Sequence, residues 1–139
     1  MLHQCLPSSY TVSKRSSAGI GLYTTKPISK TQKIIEYTGK KVPTKIADTI
    51  GWKYLFTVNS RYTILGNVTT NKARYINHSC RPNCEPREVR WRIFIYAIKS
   101  IKEWEELCYN YGKDYFTRII KPLGCRCMKC VAASKKISS

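Results

Sequence analysis

Apolar residues along this chain gather in short runs separated by turn residues, and none of the runs has the length or the spacing of an ordinary amphipathic helix. "IGLYTT" (20 to 25), "KIIEYT" (33 to 38), "KYLFTV" (53 to 58), "RYTIL" (61 to 65), "RIFIYAI" (92 to 98) and "LCYNY" (107 to 111) are rich in Ile, Val, Tyr and Thr. Branched and flat side chains of this kind suit a pleated surface, so these runs predict strands. Asn59-Ser60 falls between two of them as a hairpin turn. "TNKARYIN" (70 to 77) and "KDYFTRII" (113 to 120) each predict a helical turn or two, the second stopped by Pro122 and Gly124. The expected class is mainly β with few short helices.

Length and composition narrow this. At 139 residues the chain is expected to form one domain around one modest core, and 42% hydrophobic with 12% aromatic residues is a folding composition. No repeat or low-complexity linker interrupts it, and "AASKKISS" at the end reads as a frayed tail. No apolar run is long enough for a signal peptide or a membrane span, so neither secretion nor a membrane partner is expected. Seven cysteines, an odd number crowded toward the C-terminus, fit a reduced, metal-binding intracellular protein better than a disulfide framework.

Charge points to a polyanionic partner: 25 Lys and Arg against 8 Asp and Glu give a formal +17. The basic residues are spread along the chain rather than gathered in one recognition helix, which argues for general attraction to nucleic acid and not for base reading.

Candidate chemistry is concentrated in four stretches. "CRCMKC" (125 to 130) offers Cys125, Cys127 and Cys130 to one metal, three ligands where a closed structural zinc takes four. "GIG" (19 to 21) lacks the third small residue and the following helix of a dinucleotide turn. Its glycines suit either close approach of a flat or compact ligand to the backbone or simple entry into a strand. "RYINHSCRPNC" (74 to 84) places Asn, His, Ser and Cys in succession, polar groups that need hydrogen-bond partners wherever they are buried. His78 with Cys80 reads as part of a zinc site or as a structural turn. "ELCYNYG" (106 to 112) sets Tyr109 and Tyr111 on one side of a strand, either as core tyrosines or as walls of a slot for an aliphatic cation. A Cys80–His78 nucleophile is not expected, because the two are taken to face opposite ways and no orienting carboxylate is near. Glu103, Glu105 and Glu106 read as a solvated charge run rather than a hydrolytic pair.

Taken in order, "GIGLYTTKPIS", "IIEYTG", "YLF", "NKARYINHSCRPNC", "EELCYNYG" and "CRCMKC" resemble the SET-domain protein lysine methyltransferases from about Ala18 to Cys130. The resemblance implies a SET fold of small β-sheets with a pseudoknot-like C-terminal crossing and a zinc-bound C-terminal segment. The implied division is a lead-in (1–17), a SET domain (18–120), a post-SET zinc segment (121–132) and a tail (133–139). It implies S-adenosylmethionine as methyl donor, against the backbone of Ala18, Gly19 and Ile20, with Tyr54 at its methionine end and Asn77 and His78 holding adenosine and methionine portions. Tyr111 matches the catalytic tyrosine, and Tyr37, Tyr109 and Phe116 match the lysine channel. Cys80 joins Cys125, Cys127 and Cys130 on a structural zinc, which leaves His78 out of the ligand set. Tyrosine rather than phenylalanine at 109 implies mainly mono- or dimethylation.

The chain also departs from the family pattern. Thr31 and Trp104 stand where turns commonly carry Gly, and the expectation is that these turns differ rather than keep a positive φ. Leu65 replaces a common Asp, and Lys40 stands where an acid is usual. A +17 enzyme repels a basic peptide except near acids such as Glu36 or the 103 to 106 cluster, so a substrate carried on nucleic acid is expected, on chromatin or a ribosomal particle. The resemblance together with the charge favours a histone, in the nucleus or on chromatin. A homodimer would enlarge a small substrate surface. The rival expectation, from a different class, is a catalytically idle basic zinc module that binds nucleic acid or chromatin.

Overall fold

The computed structural model describes residues 4–16, 19–50 and 54–112. They form ten strands, one short helix and two single-turn 3-10 segments, Ser8–Tyr10 and Lys72–Tyr75. In chain order the strands are β1 (Thr11–Ser16), β2 (Gly19–Thr24), β3 (Lys33–Tyr37), β4 (Lys40–Pro43), β5 (Leu55–Thr57), β6 (Tyr62–Leu65), β7 (Asn77–His78), β8 (Cys84–Val89), β9 (Arg92–Ala97) and β10 (Glu106–Tyr109), with helix α1 (Thr44–Ile50) between β4 and β5.

Three small sheets result, in the orders β1-β2-β10-β7, β3-β9-β8 and β4-β6-β5. Each central strand carries an apolar run: Leu22 and Leu107, Ile93 and Ile95, and Ile64 are all buried. With Ile28, Ile34, Ile76 and Ile101 they make one core onto which all three sheets pack. The edge strands β1, β4 and β8 are mostly exposed and carry Lys, Arg or Pro, residues that protect a sheet edge from further pairing. Segment 1–17 therefore supplies the edge strand β1, in full register with β2 from Thr11↔Thr24 to Ser16↔Gly19. The 59–60 turn closes the β5–β6 hairpin: Asn59 Oδ1 accepts from the Arg61 and Tyr62 amides at 2.8 and 2.9 Å.

Two turns correct the sequence expectation. Thr31 and Trp104 do adopt positive φ, 75° and 65°. Each residue's own N–H reaches back to the fold, Thr31 to the Ala97 carbonyl at 2.9 Å and Trp104 to the Thr24 carbonyl at 2.7 Å. Keeping those bonds holds side chains in a backbone region that favours glycine.

The pairing of β7 with β10 positions the site. The two run parallel, Cys108 opposite Asn77 and Tyr109 opposite His78. The chain then continues along β10, with the Ser79 amide donating to the Tyr109 carbonyl at 3.2 Å. Asn83, buried, clamps the passage: its Nδ2 donates to the Glu106 carbonyl and to Glu105 Oε2 at 2.8 and 3.0 Å, and its Oδ1 accepts from the Cys108 amide at 2.9 Å.

Candidate active site

Asn77 joins three strands. Its Nδ2 lies 3.0 Å from the Ile20 carbonyl, 3.1 Å from Ser16 Oγ and 2.9 Å from Glu106 Oε2, so one amide group ties β1, β2 and β10 together at the start of "GIG". Gly21 permits this, because a Cβ there would lie 2.4 Å from Glu106 Oε2. The close approach read from the glycines is thus made at Gly21 by a carboxylate of the chain itself. Gly19 is different: at φ 107° no atom of the described residues lies within 4 Å of where its Cβ would be, and the same holds for Gly112, past the end of β10, at φ 102°. Antiparallel pairing of β2 and β10 puts both glycines at one end of the sheet. Two glycine backbones beside the Asn77-bound carbonyl, neither crowded by the described residues, fit a molecule laid against the main chain.

His78 is buried, and burial lowers its pKa below the usual imidazole value. Its Nδ1 accepts the Tyr111 amide at 3.1 Å, a bond that needs a neutral ring with its proton on Nε2. That Nε2 lies 3.5 Å from Cys80 Sγ. The expectation that the two face opposite ways is corrected here, since residues two apart on an extended segment return to the same side.

Aromatic rings form a continuous row away from His78. Tyr111 packs edge-on against His78 with centroids 5.5 Å apart, Tyr109 follows at 5.0 Å from Tyr111, Phe56 at 6.2 Å from Tyr109, and Tyr37 at 5.2 Å from Phe56. All four separations lie in the range where aromatic pairs attract. The row draws on β7, β10, β5 and β3 and on the segment after β10, so only the folded sheets assemble it. Tyr109 and Tyr111 do stand on one side, as their spacing implied. The Tyr111 hydroxyl donates to the Ile76 carbonyl. Tyr37 is seated by a glycine, since a Cβ on Gly66 would fall 2.3 Å from its Oη. Asn71 holds the adjoining loops, its Nδ2 donating to the Gly66 carbonyl at 3.0 Å and its Oδ1 accepting from the Thr38 amide at 3.1 Å.

Tyr54 stands at φ 65° in front of β5, its carbonyl accepting from the Gly66 amide at 2.7 Å. Its ring meets Tyr75 edge-on at 6.3 Å, with the Arg74 guanidinium 5.6 Å above it. Sequence reasoning missed Phe56, Asn71 and Asn83. Phe56 sits inside the quoted "YLF", and Asn71 and Asn83 inside the quoted "NKARYINHSCRPNC", but no role was read for them. Ala18, Phe116, Cys125, Cys127 and Cys130 lie outside the described residues. Of the four expected zinc ligands the described residues include Cys80 alone, and among them no group of three His, Cys, Asp or Glu side chains converges on one point. Cys80 is a half-buried thiol beside an imidazole N–H donor, which suits a metal-bound thiolate.

Among the described residues, the carboxylates Glu36, Glu105 and Glu106 are engaged by the fold. Glu36, one carboxylate expected to attract a basic peptide, is gripped by Arg92 through two bonds of 2.9 and 2.7 Å. Glu105 and Glu106 accept from Asn83 and Asn77.

This fold is that of a known class. The SET domain family matches residues 19–112, and the chain belongs to that family. A histone-lysine N-methyltransferase, H3 lysine-4 specific, of Aspergillus oryzae is 39% identical over 104 residues, which cover 66% of this chain and 8% of that protein. Its counterpart in Candida albicans is 33% identical over 120 residues, 77% of this chain and 12% of that one. The chain thus spans about a tenth of the length of these curated relatives. Among solved structures, ctPRC2 in an autoinhibited conformation bound to S-adenosylmethionine superposes with a TM-score of 0.69 at 30% identity, covering 84% of this chain and 17% of that one. An active polycomb repressive complex 2 in the basal state gives 0.67 at 32%, covering 74% and 15%.

Proposed function

We propose that the chain is a protein-lysine N-methyltransferase that uses S-adenosylmethionine and acts on a histone, histone H3 being the substrate named for its curated relatives. The observation that carries this is the row of rings from Tyr37 to Tyr111, ending beside the Asn77–His78 corner and the open glycines.

When bound, the donor would supply a methyl group on a sulfonium, the methyl–sulfur bond breaking as the methyl–nitrogen bond forms, after the lysine has given up its extra proton to solvent on entering the row. The chain's residues prepare that transfer. Gly19 and Ile20 offer backbone to the donor, and Asn77 fixes the carbonyl between them and β10. The aromatic row takes the aliphatic stem of lysine and excludes water from its amine. Desolvation lowers the amine's pKa, so that the neutral nucleophile becomes accessible from a group ordinarily charged at neutral pH. His78 holds the Tyr111 amide, and the Ile76 carbonyl holds its hydroxyl, so this oxygen is pre-oriented toward amine or methyl. The same carbonyl is an acceptor for weak C–H bonds from a polarised methyl group. The Tyr109 hydroxyl, in the middle of the row, occupies volume that further methyl groups would need, which favours mono- and dimethylated products.

Cys80 with Cys125, Cys127 and Cys130 would hold a structural zinc. The metal would supply a closed cross-link between the C-terminal segment and the His78 segment and would take no part in the transfer. The net charge and the engaged carboxylates favour histone substrate carried on DNA over a free basic peptide, hence nucleosomes and a place on chromatin. A labelled methyl-donor assay on nucleosomes and on ribosomes, with Tyr111→Phe as control, tests the reading. Label that depends on Tyr111 supports it; absence of such label on both favours an idle basic zinc module.

A further inference from the structure

The β8–β9 hairpin turns at Arg90-Trp91, with φ 51° and 69°. A two-residue turn with both central residues at positive φ is the geometry that Asn-Gly fills without strain. Here a guanidinium and an indole side chain bear the left-handed penalty instead, and strain kept at adjacent positions directs attention to what the side chains do.

The turn holds Trp91 out, 42% exposed, with its ring edge-on to Tyr62 at 5.2 Å and 85°, and Tyr62 is itself 38% exposed. Lys41 from β4 and Arg61 from the β5–β6 turn complete the wall of an open cleft of about 370 Å³, lined by Lys41, Arg61, Tyr62, Arg90 and Trp91. No carboxylate is among the described residues that line it. The ion pairs among the described residues, Arg87–Glu85 and Arg92–Glu36, use none of its three cations. The cleft shares no residue with the row of rings from Tyr37 to His78.

We propose that this cleft binds single-stranded nucleic acid, one unpaired base lying on the Trp91 indole beside Tyr62 and the flanking phosphates meeting Arg90, Arg61 and Lys41. A single strand brings a flat group with a phosphate on each side of it, so it engages the rings and the cations together. A duplex hides its base faces in its own stack and would use only the cations. An acidic peptide would do the same and leave both rings in water. Any base has a face to stack, so the site selects strandedness and not sequence.

Fluorescence anisotropy with the full chain tests this, using a labelled oligouridylate of about 12 nucleotides, a duplex of equal length and a phosphotyrosine peptide as probes. The single strand is expected to bind most tightly, and Trp91→Ala to weaken it about tenfold or more. Arg90→Gln, which removes one phosphate contact, is expected to flatten the dependence of log K on log salt by about 0.7. Exchanging Arg90→Asn together with Trp91→Gly relieves the turn, so this variant is expected to melt no lower than the parent by circular dichroism while losing strand affinity. That outcome reads the lost contact in a folded protein. Duplex binding as tight as strand binding and indifferent to Trp91 overturns the proposal, leaving only the general basic field. Tighter binding of the phosphotyrosine peptide with the same Trp91 dependence overturns it in favour of a peptide site.

Discussion

Gly66 looks like an ordinary loop glycine, yet it decides where the Tyr37 end of the row of rings stands. A methyl group at this position would lie 2.3 Å from Tyr37 Oη and 2.5 Å from its Cε1 and Cζ. Carbon–carbon contacts are comfortable at about 3.5 Å or more, so in Gly66→Ala the ring or the loop must retreat by about 1 Å. The ring has little room to do so: Tyr37 is 4% exposed and Phe56 stands behind it at 5.2 Å. Nor does the loop yield easily, because Asn71 binds the Gly66 carbonyl and the Thr38 amide on either side. Overpacking of this size costs about 1–3 kcal/mol. A shift of about 1 Å in a positioning group costs up to about 100-fold in rate. Gly66→Ala should therefore lower the urea midpoint and, at concentrations where the protein is folded, reduce kcat/KM for methyl transfer more than donor binding. Adding Tyr37→Phe removes the Oη contact but leaves the ring carbons 2.5 Å from the new methyl, so it should recover little. A Gly66→Ala protein with the parent's midpoint and the parent's kcat/KM would refute the argument.

Other expectations rest on different parts of the molecule. Thr31→Gly should stabilise the protein by about 0.5–1 kcal/mol in urea denaturation, the left-handed penalty of about 1–2 kcal/mol being partly offset by glycine's larger entropy loss; a destabilised variant would show the turn to be unstrained. Tyr109→Phe should shift the product spectrum toward trimethyl-lysine, read by mass spectrometry; a parent enzyme already making mainly trimethyl product would contradict the role given to the hydroxyl. Cys80→Ser should drop bound zinc below one per chain by metal analysis, as Cys127→Ser should, and full zinc content in Cys80→Ser would remove Cys80 from the ligand set. Burial pushes the Cys84 thiol from 9.0 up to about 12, and Cys108 beside it is also raised. Above pH 9.0 the unfolded chain gives up the Cys84 proton while the folded chain keeps it, so stability should fall from there toward pH 12. Cys84→Ala should flatten that decline in alkaline denaturation curves.

Comparison of strand with strand shows what the pattern of apolar residues carried. β2, β6, β9 and β10 are central in their sheets, and all four coincide, to within one residue at the start, with runs recognised by their Ile, Leu, Val and Tyr content. β1, β4, β7 and β8 passed unnoticed. Three of them are exposed edges, "TVSKRS", "KKVP" and "CEPREV", whose Lys, Arg and Pro exist because one side of the strand faces water, and β7 is only two residues long. The Arg90-Trp91 turn was missed for a related reason, since it has none of the glycine or asparagine that marks a tight hairpin. Thr31 and Trp104 were misjudged because the cost of positive φ is local, whereas the backbone bonds that hold it, to Ala97 and Thr24, are made across the fold.

By itself the sequence determined the class, the family and the residue types at the site, because Asn77, His78, Tyr109 and Tyr111 lie in motifs dense enough to be read without neighbours. Tertiary structure alone decided how those residues act together. The Asn77 amide bridges β1, β2 and β10, and Gly66 admits the Tyr37 ring from a strand nearly thirty residues away by count. Phe56 joins Tyr37 to Tyr109 because separate small sheets pack on one core. The physical reason is that a motif specifies functional groups along a line, while distance, burial and the loss of water are set only when strands remote in the chain close on one another.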